Sequence, residues 1–379
     1  MRLNTGLGIA AAVAALMLSQ TATQAAEIKI GGAVALSGYL ATIDRSWNDA
    51  AQLAVEEINK AGGVNGQKIT LTTEDMRSEP IDAVNVTKKM LSNGATILIN
   101  GSSSAGNAAA YPLAVRQSVP MIIGSILPPK VADPKWAYSF LPPPTFEVAL
   151  RLKYLKEKLK VTKIGVLHDP TPYTALQKNY LTSVVGDYGI TVVATEQYQQ
   201  NDSDMSTYLA KMEAAGAQAI VKIGVGPSTV TAAKGLKQLN STMPLLANAD
   251  TLDVLKGAAD VLGKQLLFPA PPPQVFDALE ADSPLRKPVE SFLKVWQAKY
   301  GDRDPSWASR GWDAIQVIAA AVKKSNATSG EKLRAAFDEM GTYVGAGAEY
   351  SFTATNHTGI VKNPFIMTQI IDGKFILLR

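Results

Sequence analysis

The sequence contains no cysteine and only two histidines among its 379 residues. Without cysteine the chain cannot form a disulfide, and it cannot carry a lipid on an N-terminal cysteine. A transition-metal site is not expected either, because such sites are built mainly from cysteine and histidine ligands. His168 and His357 are far apart in the chain, and we interpret them as a histidine at a strand end and one in a surface loop.

The chain also lacks a cluster of lysine and arginine residues, and its net charge is only +4. Nucleic acid is therefore not expected as a partner. The hydrophobic fraction of 46% is that of an ordinary globular protein. A chain of this length exceeds what one hydrophobic core usually organises, so we predict two lobes.

An apolar run near the start, Leu7 to Leu18, is shorter than the roughly 20 residues that span a bilayer. It follows Arg2 and precedes the small residues Ala25 and Ala26, which is typical of a cleaved secretory signal peptide. An N-terminal membrane anchor is the alternative interpretation. We expect residues 1–25 to be a signal peptide, and the mature protein to be free in the periplasm without a lipid anchor.

No reactive arrangement of side chains is evident in the sequence. Residues 101–105, GSSSA, come near the nucleophile elbow Gly-x-Ser-x-Gly but lack its last glycine. The stretch from Gly257 to Lys264 has one residue too many between its glycines for a phosphate-binding loop. We predict that the protein is not an enzyme and has no cofactor. A hydrolase or amidase on a similar α/β frame is the rival hypothesis.

The stretch from residue 28 to residue 75 predicts a strand, a helix, a glycine turn and a second strand. Small or apolar residues recur at helical spacing between positions 51 and 58, Gly62 and Gly63 follow, and residues 68–73 alternate. This is the start of a doubly wound sheet. The block IKIGGAVALSGYLATIDRSWNDAAQLAVEEINKAGGVNGQKI resembles the N-terminal lobe of periplasmic ligand-binding proteins of the branched-chain amino acid transport family.

Further βα units are predicted along the chain, and Asp372-Gly373 predicts a hairpin between the last two strands. The expected fold class is therefore α/β, with two doubly wound Rossmann-like lobes joined by a three-stranded hinge. Pro142 to Pro144 and Pro269 to Pro273 are predicted crossovers, because clustered prolines interrupt helices and central strands. The resemblance places residues 27–145 and 274–348 in the N-terminal lobe and residues 146–273 and 349–379 in the C-terminal lobe.

Serines at the start of a predicted helix offer hydroxyl and backbone N–H donors at the positive end of the helix dipole, which suits a carboxylate. Ser103 and Ser104 are therefore candidates for an anion clamp, and N-capping is the alternative role. The resemblance aligns the family's carboxylate-binding serine with Ser104, and next with Ser103. It aligns the second anchoring loop with Ser125, Ile126 and Leu127, where the family usually has a threonine in place of Leu127.

In the second lobe the sequence HDPTPY places Tyr173 where the family has an aromatic residue over the ligand; packing at a helix start is the alternative. The family's amino acid binders carry a tyrosine and a glutamate where this chain has Val225 and, with the register open by one, Ala249 or Asp250. A buried ammonium without its acidic partner costs about 2 kcal/mol or more. The replacement of the family's tyrosine and glutamate therefore argues against an α-amino acid ligand.

What remains is a carboxylate clamp that faces an apolar slot. The slot residues are expected to be Ile43, Ile126, Leu127, Tyr173 and Val225. Trp47 or Phe146 would lie at the rim, although core packing is the favoured role of Trp47.

The resemblance implies a solute-binding protein of an ABC importer, with a small-molecule ligand and an inner-membrane permease complex as partners and a monomeric state. The expected ligand is an aromatic carboxylate, such as a benzoate derivative or an aryl 2-oxo acid. A branched-chain or other aliphatic amino acid is the alternative ligand, and a sensory module that presents its ligand to a receptor is the alternative function.

Overall fold

Two α/β lobes, each built on its own sheet, make up the computed structural model, which describes residues 27–126 and 134–378. The predicted signal peptide lies outside these residues. The first sheet contains β1 (Ile28–Val34), β2 (Ile69–Asp75), β3 (Ile97–Asn100), β4 (Met121–Ile123) and β5 (Ala137–Ser139). Its strands are all parallel and lie in the order β2-β1-β3-β4-β5.

In the described residues the second sheet has seven strands, and two further short strands form a separate sheet. The strands that follow β5 are β6 (Lys163–His168), β7 (Thr191–Gln197), β8 (Ala219–Ile223), β9 (Leu245–Leu246), β10 (Leu266–Ala270), β11 (Thr342–Val344), β12 (Glu349–Ser351), β13 (Ile366–Ile371) and β14 (Lys374–Leu377). The sheet order is β14-β13-β10-β9-β8-β6-β7, and β11 pairs only with β12. Strands β13 and β14 form the predicted C-terminal hairpin and are antiparallel to their neighbours.

Eleven α-helices connect or flank these strands in the described residues. They are α1 (Ala41–Lys60), α2 (Pro80–Ser92), α3 (Ser104–Gln117), α4 (Pro144–Tyr154), α5 (Pro172–Val184), α6 (Ser206–Ala214), α7 (Ser228–Gln238), α8 (Leu252–Leu262), α9 (Arg286–Tyr300), α10 (Ala308–Ser325) and α11 (Gly330–Asp338). A π-helical turn covers Leu155–Leu159, and 3-10 turns cover Val185–Tyr188, Gly263–Gln265 and Pro272–Ala278.

The predicted fold class is confirmed, but one proline prediction is wrong. Pro269 was expected to interrupt a central strand, yet it lies inside β10, opposite Met367 of β13. On the other side of β10, strand β9 pairs with Leu266 and Leu267 and does not extend to Pro269. At Pro269, β10 therefore has a neighbouring strand on one side only. Because no strand lies on the other side at this position, the missing N–H of proline interrupts no hydrogen bonds there.

The chain returns to the first lobe through α9 and α10, after β10 of the second lobe. Helix α10 packs along α1, and their apolar faces share one core with the first sheet. Gly311 lies so close to α1 that a Cβ there would collide with the carbonyl oxygen of Trp47. The Trp47 side chain is 1% exposed and belongs to this core, so its core-packing role is confirmed.

No helix within residues 27–126 and 134–378 is long and apolar enough to cross a membrane.

The close approach of α10 to α1 predicts that Gly311→Ala is destabilising. The added methyl group must push the two helices apart, which typically costs about 1–3 kcal/mol. Gly257→Ala in α8 is the matched control, because its Cβ would lie at an ordinary 3.4 Å from Val230 Cγ2. The control should be stabilised by up to about 1 kcal/mol through helix propensity. Urea unfolding measures both variants, and equal shifts would contradict the prediction.

Candidate functional site between the lobes

A cleft between the lobes lies at the carboxyl ends of the parallel strands, where open α/β sheets bind ligands. The loops after β1, β3 and β4 form one wall, and the loops after β6, β7 and β8 form the other. Its cavity volume is about 40 Å³, so the two walls lie close together in this structure. The lining residues are Tyr39, Leu40, Ile43, Ser102, Ser104, Gly124, Ser125, Leu141, Asp169, Thr171, Tyr173, Gln200, Val225 and Trp307.

The first serine loop is held from behind by the buried carboxylate of Asp44, in α1. Its Oδ1 accepts a hydrogen bond from the backbone N–H of Ser102 at 2.9 Å, and its Oδ2 accepts one from the N–H of Ala35 at 2.8 Å. A Cβ at Gly101 would collide with this carboxylate. Burial raises the pKa of Asp44 to about 6. Asp44 thus fixes the start of the loop that precedes α3.

The three serines of this loop have different roles. The Ser103 hydroxyl accepts a hydrogen bond from the N–H of Gly106 at 3.0 Å and so caps α3, and Ser103 does not line the cleft. Ser104 lines the cleft, and its hydroxyl has no hydrogen-bond partner among the described residues. Ser102 also lines the cleft, and a contact of its side chain with the Asp44 carboxylate lowers the pKa of that carboxyl. The sequence pattern indicated Ser103 but not Ser102. The helix begins at Ser104, which makes Ser103 the cap, and this exact start is not evident from the sequence.

The second loop brings Ser125 to the same wall. Its Oγ accepts a hydrogen bond from Asn107 Nδ2 at 2.8 Å, and its carbonyl accepts one from Ser139 Oγ at 2.6 Å. Ile126 is 7% exposed and packs in the apolar core below the cleft. Leu127, the third residue predicted in this loop, lies outside the described residues. Ile43 lines the cleft as predicted.

Tyr173 reaches the cleft from the first turn of α5 and packs against the apolar cluster of the first lobe. Its hydroxyl donates to Glu147 Oε1 at 3.0 Å. Glu147 is buried, and its Oε2 also accepts from Asn248 Nδ2 at 2.8 Å and from the N–H of Ala249 at 2.9 Å. Burial raises the pKa of the Tyr173 hydroxyl well above its ordinary value. Because the hydroxyl is bound to Glu147, the ring is what Tyr173 offers to the cleft.

Asp250 does not line the cleft but supports a residue that does. Its buried carboxylate accepts hydrogen bonds from the N–H groups of Gly226 at 2.7 Å and Thr251 at 2.8 Å. Val225, beside Gly226, lines the cleft. Burial raises the pKa of Asp250 to about 6, although nearby Lys222 opposes this shift. Asp250 therefore positions the Val225 loop, and its direct contact with a ligand stays a prediction.

Three polar residues of the second lobe line the cleft and were missed by sequence analysis: Asp169, Thr171 and Gln200. Asp169 Oδ1 accepts from the N–H of Thr171 at 2.8 Å, and its Oδ2 accepts from Gln200 Nε2 at 2.6 Å. A Cβ at Gly224, whose φ is +129°, would lie 2.6 Å from this Oδ2. Asp169 and Thr171 belong to the same HDPTPY stretch as Tyr173. An acidic residue directly after a strand was the sequence feature that could have indicated Asp169 as a cleft residue.

Trp307 adds an aromatic surface from the segment that returns to the first lobe. The guanidinium of Arg310 stacks on its indole at 4.2 Å from the ring centroid. Arg310 is buried, and its Nε and Nη1 have no hydrogen-bond partner within the described part of the chain. Phe146, which sequence analysis placed at the rim, packs against the first-lobe core instead of lining the cleft.

In residues 27–126 and 134–378, no group of three or more His, Cys, Asp or Glu side chains could hold a metal ion. His168 ends β6 as predicted, with Nδ1 2.8 Å from the carbonyl oxygen of Asp169, and burial lowers its pKa. His357 lies in a loop with Nε2 3.3 Å from Asp338 Oδ1. Neither histidine lines the cleft.

Comparison with known proteins decides the family. A family model described as periplasmic binding protein matches residues 27–374. The chain belongs to the periplasmic binding protein family. It is 25% identical to the leucine-, isoleucine-, valine-, threonine-, and alanine-binding protein of Pseudomonas aeruginosa, over 81% of this chain and 80% of that protein.

Solved structures agree with the family and with the type I fold. A type 1 periplasmic binding protein from Bordetella pertussis Tohama I matches with a TM-score of 0.80 and 26% identity, covering 93% of this chain and 100% of that one. Rp1789 from Rhodopseudomonas palustris matches with a TM-score of 0.84 and 20% identity over 93% and 100% of the two chains.

The two lobes of this periplasmic binding protein touch across the cleft. Tyr173, Leu176 and Val225 of the second lobe pack against the apolar cluster of the first. The first wall carries serine hydroxyls, whereas the second carries the carboxylate of Asp169. A ligand in the cleft would therefore meet hydroxyl donors on one side and a carboxylate on the other.

The raised pKa of Asp44 predicts a pH-dependent contribution to stability. A carboxyl with a pKa of about 6 when folded and ~3.9 when unfolded binds its proton more tightly in the folded state. Its contribution is therefore present at low pH and is lost as the pH rises through 6. Relative to Asp44→Asn, the unfolding free energy of the wild type should rise by about 1 kcal/mol from pH 7 to pH 5.

Urea titrations at the two pH values measure this difference. Asp204→Asn is the control, because hydrogen bonds from Ser206 lower the pKa of Asp204 and no gain is expected over this interval. An Asp44→Asn difference that is the same at both pH values would contradict the prediction.

Proposed function

We propose that this protein is the periplasmic solute-binding protein of an ABC importer and that it captures a small organic acid in the cleft between its lobes, without catalysis. The observation that supports this most is the cleft itself, since both lobes line it and one wall presents the Ser104 hydroxyl at the start of a helix. In this proposal the lobes are divided near residues 145, 273 and 348, the protein acts as a monomer in the periplasm, and a permease complex receives the ligand.

The ligand carboxylate would bind first at the N-terminal lobe. Ser104 is the first residue of α3, where free N–H groups and the helix dipole favour an anion. The Ser104 hydroxyl is free to donate, while Ser125 Oγ accepts from Asn107 and donates to the carbonyl oxygen of Ile126 at 3.4 Å. Closure of the hinge would then bring Tyr173 and Val225 over the ligand, which shifts the equilibrium towards the closed state.

An aromatic carboxylate suits the rest of the cleft best. Tyr39, Tyr173 and Trp307 offer ring surfaces, and Ile43, Leu141 and Val225 complete an apolar slot. Asp250 stands near the position of the family's ammonium-binding glutamate, but backbone N–H groups engage its carboxylate. The proposed ligands are benzoate derivatives or aryl 2-oxo acids.

A branched-chain or other aliphatic amino acid is the second candidate, and Asp169 is the observation that favours it. Its carboxylate lies in the wall opposite the serine loops and could accept a hydrogen bond from an ammonium group. The relative from Pseudomonas aeruginosa is named for binding five amino acids. A sensory role, in which a receptor reads the closed lobes, would use the same site.

Calorimetry with a ligand panel tests the proposal. Benzoate, benzoylformate and 4-hydroxycinnamate should bind, and leucine, isoleucine and valine should not. 4-Methyl-2-oxopentanoate is the matched probe, since it differs from leucine only at the amino-bearing carbon. Binding of leucine with no binding of the three aryl acids would overturn the aromatic proposal, and Asp169→Asn should then abolish leucine binding. Native mass spectrometry of the purified protein would detect an acid outside the panel.

Substitutions of the two neighbouring serines are expected to change different properties, ligand affinity for Ser104 and stability for Ser103. Ser104→Ala should weaken binding of the preferred acid by about 1–3 kcal/mol, because a hydrogen bond to a charged group is lost. Ser103→Ala is the matched control and should lower the melting temperature of the ligand-free protein through loss of the α3 cap, worth about 0.5–2 kcal/mol. Unchanged affinity in Ser104→Ala would remove that serine from the clamp.

A further inference from the structure

The lining of the cleft carries little positive charge. Among the described residues it contains no lysine or arginine and one carboxylate, that of Asp169. Serine hydroxyls donate hydrogen bonds to a carboxylate, but they do not compensate its charge. An anion that leaves water for this cleft therefore depends on a cation behind the walls to offset its lost hydration.

Two arginines of the described chain are buried, and they differ in their hydrogen bonds. Arg151 is engaged, because its Nη1 donates to the carbonyl oxygen of Lys222 at 2.9 Å and its Nη2 donates to Gln177 Oε1 at 2.7 Å. Arg310 is 2% exposed, yet its Nε and Nη1 have no hydrogen-bond partner within the described residues. Buried charged groups rarely lack partners, so the unpaired guanidinium of Arg310 requires an explanation.

The carboxylates near Arg310 are bound to other groups. Glu147 and Asp313 both interact electrostatically with the guanidinium, but each accepts three hydrogen bonds from elsewhere. Burial raises the pKa of Asp313 to about 7, so this carboxyl is only partly ionised near neutral pH. The positive charge of Arg310 is therefore not matched by a directly bound anion in the described part of the chain.

The guanidinium lies immediately behind the cleft lining. Its Cζ is 4.2 Å from the ring centroid of Trp307, which lines the cleft, and 5.8 Å from that of Phe365. These aromatic contacts hold the group while leaving its charge in place. The charge also reaches Tyr173, since burial and Glu147 raise the pKa of the Tyr173 hydroxyl and Arg310 opposes this rise. Both aromatic residues that would meet a ligand thus lie in the field of Arg310.

We propose that Arg310 is a specificity-determining residue whose unpaired guanidinium supplies, through space, the counter-charge that lets the cleft accept an anionic ligand. The proposal rests on the proposed function and adds the residue that selects the charge of the ligand. In a buried site of low dielectric constant a charge acts over several ångströms, so direct contact with the ligand is not required. The serines then fix the position of the carboxylate, while Arg310 compensates its charge.

Two substitutions at Arg310 separate charge from shape. Arg310→Met removes the charge and keeps the length of the side chain, so the affinity for benzoylformate should fall about tenfold. Arg310→Lys keeps the charge and should lose less than about threefold. The neutral amide of benzoylformate is the matched probe, and calorimetry should show the same affinity for wild type and Arg310→Met. Equal affinities of these two proteins for benzoylformate itself would overturn the proposal.

Melting temperatures distinguish this role from a structural one. Arg310→Met replaces an unpaired buried charge by an apolar side chain and should not lower the melting temperature. Arg151→Met is the matched control, because it leaves the former hydrogen-bond acceptors of Arg151 unpaired and should be clearly destabilising. A loss of stability in Arg310→Met as large as that of the control, or failure to fold, would show that Arg310 is structural and would overturn the proposal.

The charge can also be measured without a ligand. The chain has no native cysteine, so Ser104→Cys introduces a single thiol where the ligand carboxylate is proposed to bind. Its pKa, followed by the ultraviolet absorbance of the thiolate, should rise by about 0.5 to 1 when Arg310→Met is added and return with Arg310→Lys. A thiol pKa that is the same in all three backgrounds would overturn the proposal. If no acid of the panel binds, the proposed function fails, and the thiol pKa decides the role of Arg310 by itself.

Discussion

The close packing of α10 on α1 is the constraint on which the cleft depends. Gly311 lies directly against the Trp47 carbonyl group, so the returning helix can approach the first lobe at a distance that no larger residue permits. The segment just before α10 carries Trp307 and Asp304, whose carboxylate accepts the N–H of Leu252 in the second lobe at 2.6 Å. The contact that completes the first core therefore also delivers an aromatic wall and a cross-lobe carboxylate to the cleft.

Buried carboxylates then set the precision of the loops. Strand ladders stop at the edge of the cleft, and the backbone N–H groups beyond them need other acceptors. Asp44 and Asp250 each accept two such donors. Burial raises the pKa of Asp44 and of Asp250 to about 6, because the surrounding loops exclude water from both carboxylates. The hydrogen bonds offset this cost and fix each loop in one conformation.

Sequence patterns predicted the repeating βα units well because those units are defined locally, by apolar runs and glycine stops. The family resemblance, aligned on these units, indicated Ser104, Ser125, Tyr173 and Val225, and Ile43 was expected beside them; all five line the cleft. Other features depend on contacts between distant segments. Strand β9 has only two residues and exists because its neighbours pair with it. Trp307 and Gln200 had no local signal, since their place in the cleft follows from how the two lobes face each other.

An ammonium group and an aromatic ring would disturb the existing hydrogen bonds of the cleft walls to different extents. Asp169 Oδ1 already accepts hydrogen bonds from the hydroxyls of Thr171 and Thr174, and Oδ2 accepts one from Gln200. An amino acid would therefore have to share Oδ2 with Gln200 or displace the half-buried Gln200 amide, which would lose its hydrogen bond to a charged group. A ring that packs on Tyr173 and Trp307 leaves every one of these hydrogen bonds in place. For the proposed function, the hydrogen bonds that Asp169 already accepts thus favour a ligand without an ammonium group over an amino acid.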